Sequence, residues 1–265
     1  MNRLTRNVAT NLLMIGCWIA IVPTSPLSAE PPQPTAATET PQTSNDDATT
    51  PWITLADHWT ACQFGGDGEI QIKDGVITME YGDPLTGVKW DGPFVGDPAA
   101  KADLSKDKKP TPKALPRDNY ELRWECRRDQ GFDFMCAFTF PVGKDHVSLV
   151  MGGWGGGVTG ISSVDGRDAS DNETTMFKAF ENDTWYKARV RVDSKNITAW
   201  IDDTELFAQP RQDHTFDIRF EMDPCTPLGI ANFESTSKIR NIQIRPLVAD
   251  KVAPADQESK KSDDK

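Results

Sequence analysis

Apolar and polar side chains alternate with a period of two along most of the chain from 52 to 247. This period is typical of β-strands that bury one face, because successive side chains of a strand point to opposite sides of the sheet. The alternating segments are short, and a helical period is almost absent. About a dozen such strands predict an all-β fold, an antiparallel β-sandwich of jelly-roll type. The individual predictions include hairpins over 69–80 and 184–202 and closing strands near 214–221, 227–233 and 238–247.

The most regular segments predict a hairpin over residues 120–140, with its turn at Gly131. Its apolar face is expected to enter the core and carries Tyr120, Leu122, Trp124, Cys126, Phe132, Phe134, Cys136, Phe138 and Phe140. Its opposite face is charged on the first strand and mostly small on the second, with Glu121, Arg123, Glu125 and Arg127 followed by Asp133, Met135, Ala137 and Thr139. Such a face is either a solvated outer surface or the lining of a groove in which the small side chains leave room for a ligand.

Between two predicted strands, at 147–151 and 158–164, five glycines surround Trp154. Glycines leave the indole few side chains to pack on and let the backbone bend or approach a ligand closely. An acidic loop follows, with Asp165, Asp168, Asp171, Asn172 and Glu173. Sugar rings stack their C–H faces on aromatic rings, and their hydroxyls bind carboxylates and amides, so the motif predicts a carbohydrate site. The alternative is a glycine-kinked core strand, with Trp154 packed inside and the acidic loop solvated.

The two ends of the chain differ from its middle in composition. Residues 1–29 predict a cleavable secretory signal, because two arginines precede an apolar run that is too short to span a bilayer. Residues 30–50 predict a disordered Pro- and Thr-rich linker, and residues 249–265 a disordered charged tail. One domain remains over 51–248, in which the Lys- and Pro-rich segment 96–117 predicts a mobile insertion. We therefore expect a secreted, periplasmic or envelope protein whose mature form has no membrane span.

Removal of residues 1–29 would change the formal net charge from −11 to −13, because it removes two arginines and no acidic residue. This charge disfavours nucleic acids and anionic lipid surfaces as partners, and it suits neutral sugars or cations better. The loop from Asp165 to Glu173 carries oxygen ligands of the kind that calcium prefers, although their spacing is not that of an EF-hand. A divalent cation is therefore the one cofactor that the sequence suggests, and the oligomeric state stays open.

Four cysteines follow the predicted signal, namely Cys62, Cys126, Cys136 and Cys225. In the predicted hairpin around Gly131, Cys126 and Cys136 would lie opposite each other, within reach of a disulfide. The alternative is a pair of buried thiols on the apolar face. Cys17 is a candidate lipid-attachment site within the predicted signal, but the apolar residues after it argue against such processing.

Several segments taken in order resemble one known family. They are NYELRWECRR and GFDFMCAFTFPVG, then GGWGGGVTGISSVDGRDASDNETT, then TWYKARVRV and ITAWIDD, and finally PLGIANFESTSKIRNIQIRPL. The family is the 3-keto-disaccharide hydrolase domain, and the likeness is to its exported planctomycete-type members in particular. Over roughly 52–247, the resemblance implies a concanavalin A-like jelly roll. It also implies activity on 3-keto-glycosides, as a hydrolase or as a 1,2-lyase/hydratase.

A ketone at C3 of a sugar makes the proton on C2 acidic, and the enolate that forms can expel the glycosidic oxygen from C1 before water adds. Such chemistry needs a base near C2, a positive charge for the enolate and an acid for the leaving oxygen. Glu125 is the first candidate base and Arg127 the first enolate stabiliser, because they lie two residues apart on one strand face. The other candidates are Asp168, Glu173 and His146 for catalysis, and Trp154, Asn172, Arg123 and Asp133 for substrate binding.

If Glu125, Arg127 and Trp154 line one concave face, all three should act on the same ligand. The alternative function is a lectin-like module that binds carbohydrate without turning it over. Trp154 fits both functions, since a stacking platform serves a lectin as well as an enzyme. A carboxylate held near an arginine or a metal ion would favour the enzyme.

Overall fold

The computed structural model describes residues 50–97 and 112–248. The strands, numbered in chain order, are β1 (Ile53–Thr54), β2 (Trp59–Ala61), β3 (Ile70–Lys73), β4 (Val76–Met79), β5 (Leu85–Trp90), β6 (Tyr120–Gly131), β7 (Cys136–Val142), β8 (Asp145–Gly152), β9 (Val158–Ser162), β10 (Met176–Phe177), β11 (Tyr186–Val192), β12 (Asn196–Ile201), β13 (Thr204–Pro210), β14 (Gly229–Phe233) and β15 (Ser235–Pro246). A single helical turn, α1 (Gly153–Gly156), and a 3-10 helix at Phe220–Cys225 interrupt the strands. The predicted signal, linker and tail lie outside the described ranges, except for Thr50, and stay predictions.

The strands form two antiparallel sheets. In sheet A the order is β13-β12-β11-β6-β15-β4-β3, and β1 pairs with β15 beside this path. In sheet B the order is β10-β9-β8-β7-β14-β5-β2. The predicted antiparallel sandwich is therefore confirmed. Within the described ranges, no helix has both the length and the apolar character that a membrane crossing requires.

The core lies between the two sheets and consists of the apolar side chains that alternate with polar ones along the sequence. Leu122 and Trp124 point inward from β6, and Phe138 and Phe140 point inward from β7, each at most 1% exposed. The rings of Trp124 and Phe138 meet with their centroids 4.4 Å apart. Burial of a large apolar side chain contributes about 1.5–3 kcal/mol, so this contact between the sheets is a main source of stability.

The predicted hairpin over 120–140 is wrong in its pairing. β6 pairs with β11 and β15 in sheet A, whereas β7 pairs with β8 and β14 in sheet B. Two strands that face each other across a core show the same alternation as two paired strands, so the pattern does not identify the partner. The predicted apolar face is also wrong at its turn, because Phe132 is 63% exposed and Phe134 packs on the outer face of sheet B. Of the two alternatives for Cys126 and Cys136, the structure shows the pair of buried free thiols, which contact each other. Their hydrogen bond, and then burial, raise the pKa of Cys126 well above its ordinary value.

Among the other strands predicted from the sequence, two hairpins are confirmed and one strand is wrong. The hairpins over 69–80 and 184–202 are confirmed as β3–β4 and β11–β12. The strand predicted near 214–221 is wrong, because this segment is irregular and leads into the 3-10 helix at Phe220–Cys225. Met222 and Cys225 of that helix join a second apolar cluster with Ala137 and Val150, on the outer face of sheet B. This segment therefore covers part of a sheet face.

The segment 96–117, predicted as a mobile insertion, is described only at its two ends. Leu115 is fully buried and forms a parallel bridge with Phe94. The Nη2 atom of Arg117 donates to Asp97 Oδ1 at 2.7 Å. The end of the segment from 112 to 117 is therefore packed on the sandwich, and mobility stays a prediction for 98–111 alone.

Candidate functional site

A cavity of about 290 Å³ lies on the outer face of sheet B, and we refer to it as the site cavity. It is enclosed by the sheet, by the turn that follows β8 and by the segment that leads into the 3-10 helix. Its lining residues are Pro84, Leu85, Asp133, Phe134, Ala137, Ser148, Val150, Trp154, Ser162, Arg219, Glu221, Met222 and Phe233.

The floor of the site cavity consists of small side chains from three neighbouring strands. Ala137 of β7 lies opposite Val150 of β8, and Ser148 of β8 lies opposite Ser162 of β9. These residues point outward because Leu149 and its in-phase neighbours on β8 fill the core. Ser148 shares a 2.8 Å hydrogen bond with Thr139, whereas the buried hydroxyl of Ser162 has no partner among the residues described. Small residues give the floor its depth, and Ser162 leaves a hydroxyl for a ligand.

Trp154 lines the cavity from the glycine-rich turn between β8 and β9. Its backbone is left-handed, with φ 51° and ψ 53°, and Gly155 and Gly156 also have positive φ. The side chain is 44% exposed, so the alternative of a core tryptophan is wrong. Asp133 fixes this turn, because its Oδ2 accepts the Gly155 N–H at 2.9 Å while its Oδ1 accepts the Phe134 N–H at 2.7 Å. The turn thus presents the indole at the surface of the cavity.

Arg219 and Glu221 form the charged wall of the cavity. Arg219 donates to Asp168 Oδ2 through Nη1 and to Glu221 Oε1 through Nη2, both at 2.9 Å. Burial raises the pKa of Glu221, but the hydrogen bond from Arg219, a backbone hydrogen bond and the charge of Arg219 together outweigh burial, so the net shift is downward. The hydrogen bond with Glu221 raises the pKa of Arg219. Glu221 Oε2 is buried without a hydrogen-bond partner in the described ranges, so one carboxylate oxygen is left for a ligand.

The acidic loop after β9 is held by its own hydrogen bonds. The Asn172 amide donates to the carbonyls of Ile161 and Asp168 at 2.8 and 2.7 Å, so this predicted substrate ligand holds the loop instead. Glu173 pairs with Arg167 at 2.7 Å, on the exposed side of the loop. Among the predicted residues of this loop, the structure brings only Asp168 to the charged wall.

The calcium ligands suggested by this loop are engaged with other side chains. Asp165 accepts hydrogen bonds from the Thr215 backbone and from the His214 ring, which lower its pKa to about 2. Asp168 accepts from Ser170 and Arg219. Over 50–97 and 112–248, no group of three or more His, Cys, Asp or Glu residues is arranged to hold a metal ion. The predicted loop therefore does not assemble a set of side-chain ligands.

His146 lies on β8, two residues before Ser148, and therefore on the same outer face of sheet B. Burial, followed by the nearby charge of Arg117, lowers its pKa below the ordinary value of 6.5. Its Nε2 atom is buried and has no partner within the described part of the chain. The imidazole is thus neutral near pH 7 and offers a ring nitrogen on this face.

The other predicted site residues lie on the outer face of sheet A, on the far side of the sandwich. Glu125 accepts from Arg240 Nε at 2.8 Å and from Asn241 Nδ2 at 3.0 Å. Burial raises its pKa, but these hydrogen bonds outweigh it and leave the pKa below the ordinary value of 4.5. Arg127 donates to Asp129 at 2.6 Å. The expected common face of Glu125, Arg127 and Trp154 is therefore wrong, because β6 and the Trp154 turn belong to different sheets.

This outer face of sheet A is an array of paired charges and stacked rings. Its guanidinium groups lie over indole rings, with Arg123 4.0 Å from Trp52 and Arg189 3.7 Å from Trp200. A depression of about 490 Å³ lies here, lined by Arg123, Trp124, Glu125, Lys187, Ala188, Arg189, Trp200, Asp203, Asn241 and Gln243. It is larger than the site cavity, but Glu125 already has partners for both oxygens. We place the candidate site on sheet B, where Glu221 and Ser162 retain unpartnered polar atoms.

Arg219, Glu221, Ser148 and Ser162 were not among the residues predicted from the sequence. The two charged residues lie in an irregular segment, where no periodicity marks them. The serines did carry a signal, because they occupy outward positions of strands whose alternate residues are apolar. The small residues of β7 showed the same signal and were interpreted as room for a ligand.

A family model described as the 3-keto-alpha-glucoside-1,2-lyase-like domain matches residues 43–245. No curated protein matches the sequence. The chain is also similar to two solved carbohydrate-related structures and to one of unknown function. The carbohydrate binding module CBM66 of Bacillus subtilis has a TM-score of 0.43 at 11% identity, with 74% of this chain and 99% of that chain covered.

Domain 4 of an extracellular arabinanase from Geobacillus stearothermophilus, in complex with arabinotriose, has a TM-score of 0.42 at 16% identity, with 74% of this chain and 82% of that chain covered. A protein of unknown function with a galectin-like fold from Bacillus subtilis has a TM-score of 0.47 at 8% identity, with 75% and 96% covered. These values are too low to support a functional inference.

Proposed function

Because the chain belongs to the 3-keto-alpha-glucoside-1,2-lyase-like domain family, a carbohydrate-active family, we propose that it cleaves 3-keto-glycosides in the site cavity. The observation that supports this most is the convergence of Trp154, Arg219 and Glu221 on one cavity. Proton abstraction beside a ketone needs a cation for the enolate and a carboxylate or imidazole as base. A sugar also needs an aromatic platform, so the three side chains meet three separate requirements.

Binding follows from the lining of the cavity. Its volume of about 290 Å³ lies just below that of typical small-molecule sites, which measure roughly 300–1,000 Å³. We infer that one sugar ring enters and that the rest of the glycoside stays outside. The C–H face of the ring would stack on Trp154, and its hydroxyls would bind Ser162 and Ser148.

The charged wall supports a division of roles in the reaction. Arg219 would donate to the C3 keto oxygen and stabilise the enolate, while Asp168 holds the guanidinium in place as a positioning residue. Glu221 is the proposed base. A keto oxygen that accepts from Arg219 would compete with Glu221 for the guanidinium, and this competition would raise the pKa of Glu221 toward a value that suits proton abstraction. His146 is the second candidate base, because its neutral ring lies on the same sheet face.

A second candidate function is carbohydrate binding without turnover. The specific observation in its favour is that both carboxylates of the charged wall, Asp168 and Glu221, already accept from Arg219. Paired carboxylates recognise sugar hydroxyls well but are weak bases. In either function we propose that the protein acts outside the cytoplasm, because residues 1–29 predict a secretory signal.

The deciding experiment is incubation of the purified chain with a 3-keto-glucoside in D2O, with and without EDTA. An enzyme that forms an enolate introduces deuterium at C2 and releases the aglycone. A binding module leaves the C2 proton in place, yet the same sugar protects tryptophan fluorescence from a quencher in the parent but not in Trp154→Ala. The proposal of turnover fails if neither exchange nor release exceeds the rate without protein, with binding intact. Loss of activity in EDTA would show that a metal ion takes part.

A further inference from the structure

Two buried cysteines that are distant in sequence meet beside the site cavity. The Sγ atoms of Cys62 and Cys225 lie 3.2 Å apart, and the residues are only 6% and 0% exposed. Cys62 follows β2 and is tied to sheet B, because its N–H donates to the carbonyl of Gly87 on β5 at 2.8 Å. Cys225 is the last residue of the 3-10 helix. The pair therefore joins the sheet to the helix that carries Glu221.

The close approach is built into the backbone. Gly229, at the start of β14, lies directly against Cys225, and a Cβ atom at Gly229 would be 2.8 Å from the Cys225 Cβ atom. Only a glycine there allows the end of the helix to rest on sheet B. A disulfide needs two sulfurs about 2.05 Å apart, so the two sulfurs would have to approach by only about 1 Å more. A helix end held this near to the sheet suits a covalent bond.

We propose that Cys62 and Cys225 form a disulfide that fastens the 3-10 helix at Phe220–Cys225 to sheet B. The oxidant is a disulfide of the thiol-exchange class, such as oxidised glutathione. The thiolate of one cysteine attacks a sulfur of the oxidant, which forms a mixed disulfide and releases one thiol. The thiolate of the second cysteine then attacks the protein sulfur, which forms the Cys62–Cys225 bond and expels the second thiol. Two protons and two electrons pass from the protein to the oxidant.

Because the thiol of Cys225 is buried in the folded chain, the bond forms during folding and not after it. The hydrogen bond with Cys62, and then burial, raise the pKa of Cys225 well above its ordinary value, so the thiol of Cys225 is protonated and unreactive in the folded chain. Exchange therefore takes place before the helix docks, and the finished bond is shielded from reductants. Cys126 and Cys136 differ because each lies on a strand that is fixed in its own sheet, and Cys126 also contacts Met151 at 3.7 Å.

The bond has a consequence for the site cavity that rests on the proposed function. Glu221 and Met222 lie on the fastened helix and line the cavity. Without the bond, packing and the ion pair of Arg219 with Asp168 still hold the helix, but no covalent link does. The disulfide should therefore keep the charged wall in place, and its loss should weaken sugar binding more than it disturbs the core.

The first test is a peptide map of the full chain refolded in a glutathione buffer, trapped with acid and digested without reductant. We expect one linked peptide pair that contains Cys62 and Cys225, two hydrogens lighter than the two free peptides, with Cys126 and Cys136 recovered as thiols. The proposal is overturned if Cys62 and Cys225 are both recovered as thiols, or if either is linked to another cysteine. This map requires neither a sugar nor a variant, so a failure of the proposed function does not affect it.

The second test compares thermal unfolding with and without a phosphine reductant present during refolding. The reductant should lower the midpoint of the parent by about 5–15 °C, as expected for loss of a disulfide in a domain of this size. The reductant should leave the thermal midpoint of the Cys62→Ala/Cys225→Ala variant unchanged. It should lower the thermal midpoint of Cys126→Ala by as much as that of the parent. Equal midpoints of the parent in both conditions would contradict a bracing role. If the map finds the bond but no 3-keto-glucoside binds, the disulfide stands and the proposed function fails.

Discussion

Arg219 Nη1 lies 2.9 Å from Asp168 Oδ2, and this contact joins the acidic loop after β9 to the segment that enters the 3-10 helix. The same guanidinium reaches Glu221, so one cation orders the charged wall of the site cavity. Loop and helix are separate in sequence and meet only through the fold. The consequences of this arrangement can be measured one side chain at a time.

Arg219→Lys should reduce turnover far more than stability. Lysine keeps a positive charge but loses the planar fork that holds Asp168 and Glu221 together. Loss of one oriented donor typically costs about 10²–10³-fold in kcat. Arg219 is 45% exposed in its side chain, so the free energy of unfolding should change by only about 0–1 kcal/mol. Arg127→Lys on sheet A is the matched control and should behave as the parent. If Arg127→Lys lost turnover while Arg219→Lys kept the turnover of the parent, the active site would lie on sheet A.

Trp154→Ala should weaken sugar binding while the fold stays intact. By analogy with bases stacked on aromatic rings, the loss should be about 1–3 kcal/mol of binding free energy. Isothermal titration with a non-hydrolysable 3-keto-glucoside measures it. Trp200→Ala removes the same side chain from the outer face of sheet A and should leave the affinity unchanged. Equal affinities of the parent and Trp154→Ala would show that the sugar does not stack on this indole.

Two glycines in the Trp154 turn differ sharply in what they tolerate. Gly156 has φ +100°, and a Cβ atom there would lie 2.3 Å from the carbonyl oxygen of Phe132. Gly157 has ordinary φ, and no atom lies within 4 Å of its would-be Cβ. Gly156→Ala should therefore displace Trp154 and lower the free energy of unfolding by about 1–2 kcal/mol or more, with a matching loss of sugar affinity. Gly157→Ala should leave both quantities near those of the parent, and a reversed order would contradict the turn geometry.

His146 predicts a pH dependence of stability. Its pKa in the folded protein is lowered below the ordinary value of 6.5, chiefly by burial. The unfolded chain therefore binds a proton more readily, so stability is present above pH 6.5 and is lost as the pH falls through the lowered pKa. His146→Gln should remove this loss. Thermal midpoints of the two proteins between pH 8 and pH 5 check it, and parallel curves over the whole range would contradict a buried neutral imidazole.

Much of the fold could be predicted from the alternation of side chains, and the limits of that prediction are physical. Period two identifies the inward residues Trp124 and Phe138, but it cannot say whether their strands are neighbours in one sheet or face each other across the core. The same ambiguity placed Glu125 on the wrong side of the sandwich relative to Trp154. A glycine-flanked tryptophan carries its own signal, because few side chains are near enough to bury it. Arg219 and Glu221 carry none, since an irregular segment has no period and only tertiary packing brings it to the cavity.

We propose that the chemistry takes place on the outer face of sheet B and not on that of sheet A. The two faces are distinguished by comparing Glu221→Gln with Glu125→Gln, in both the rate of deuterium exchange at C2 and the affinity for a 3-keto-glucoside. Each change keeps the size of the side chain and removes the carboxylate charge. We predict that Glu221→Gln abolishes exchange and leaves affinity nearly intact, whereas Glu125→Gln exchanges and binds like the parent. Loss of exchange in Glu125→Gln, with Glu221→Gln fully active, would instead place the reaction on the outer face of sheet A.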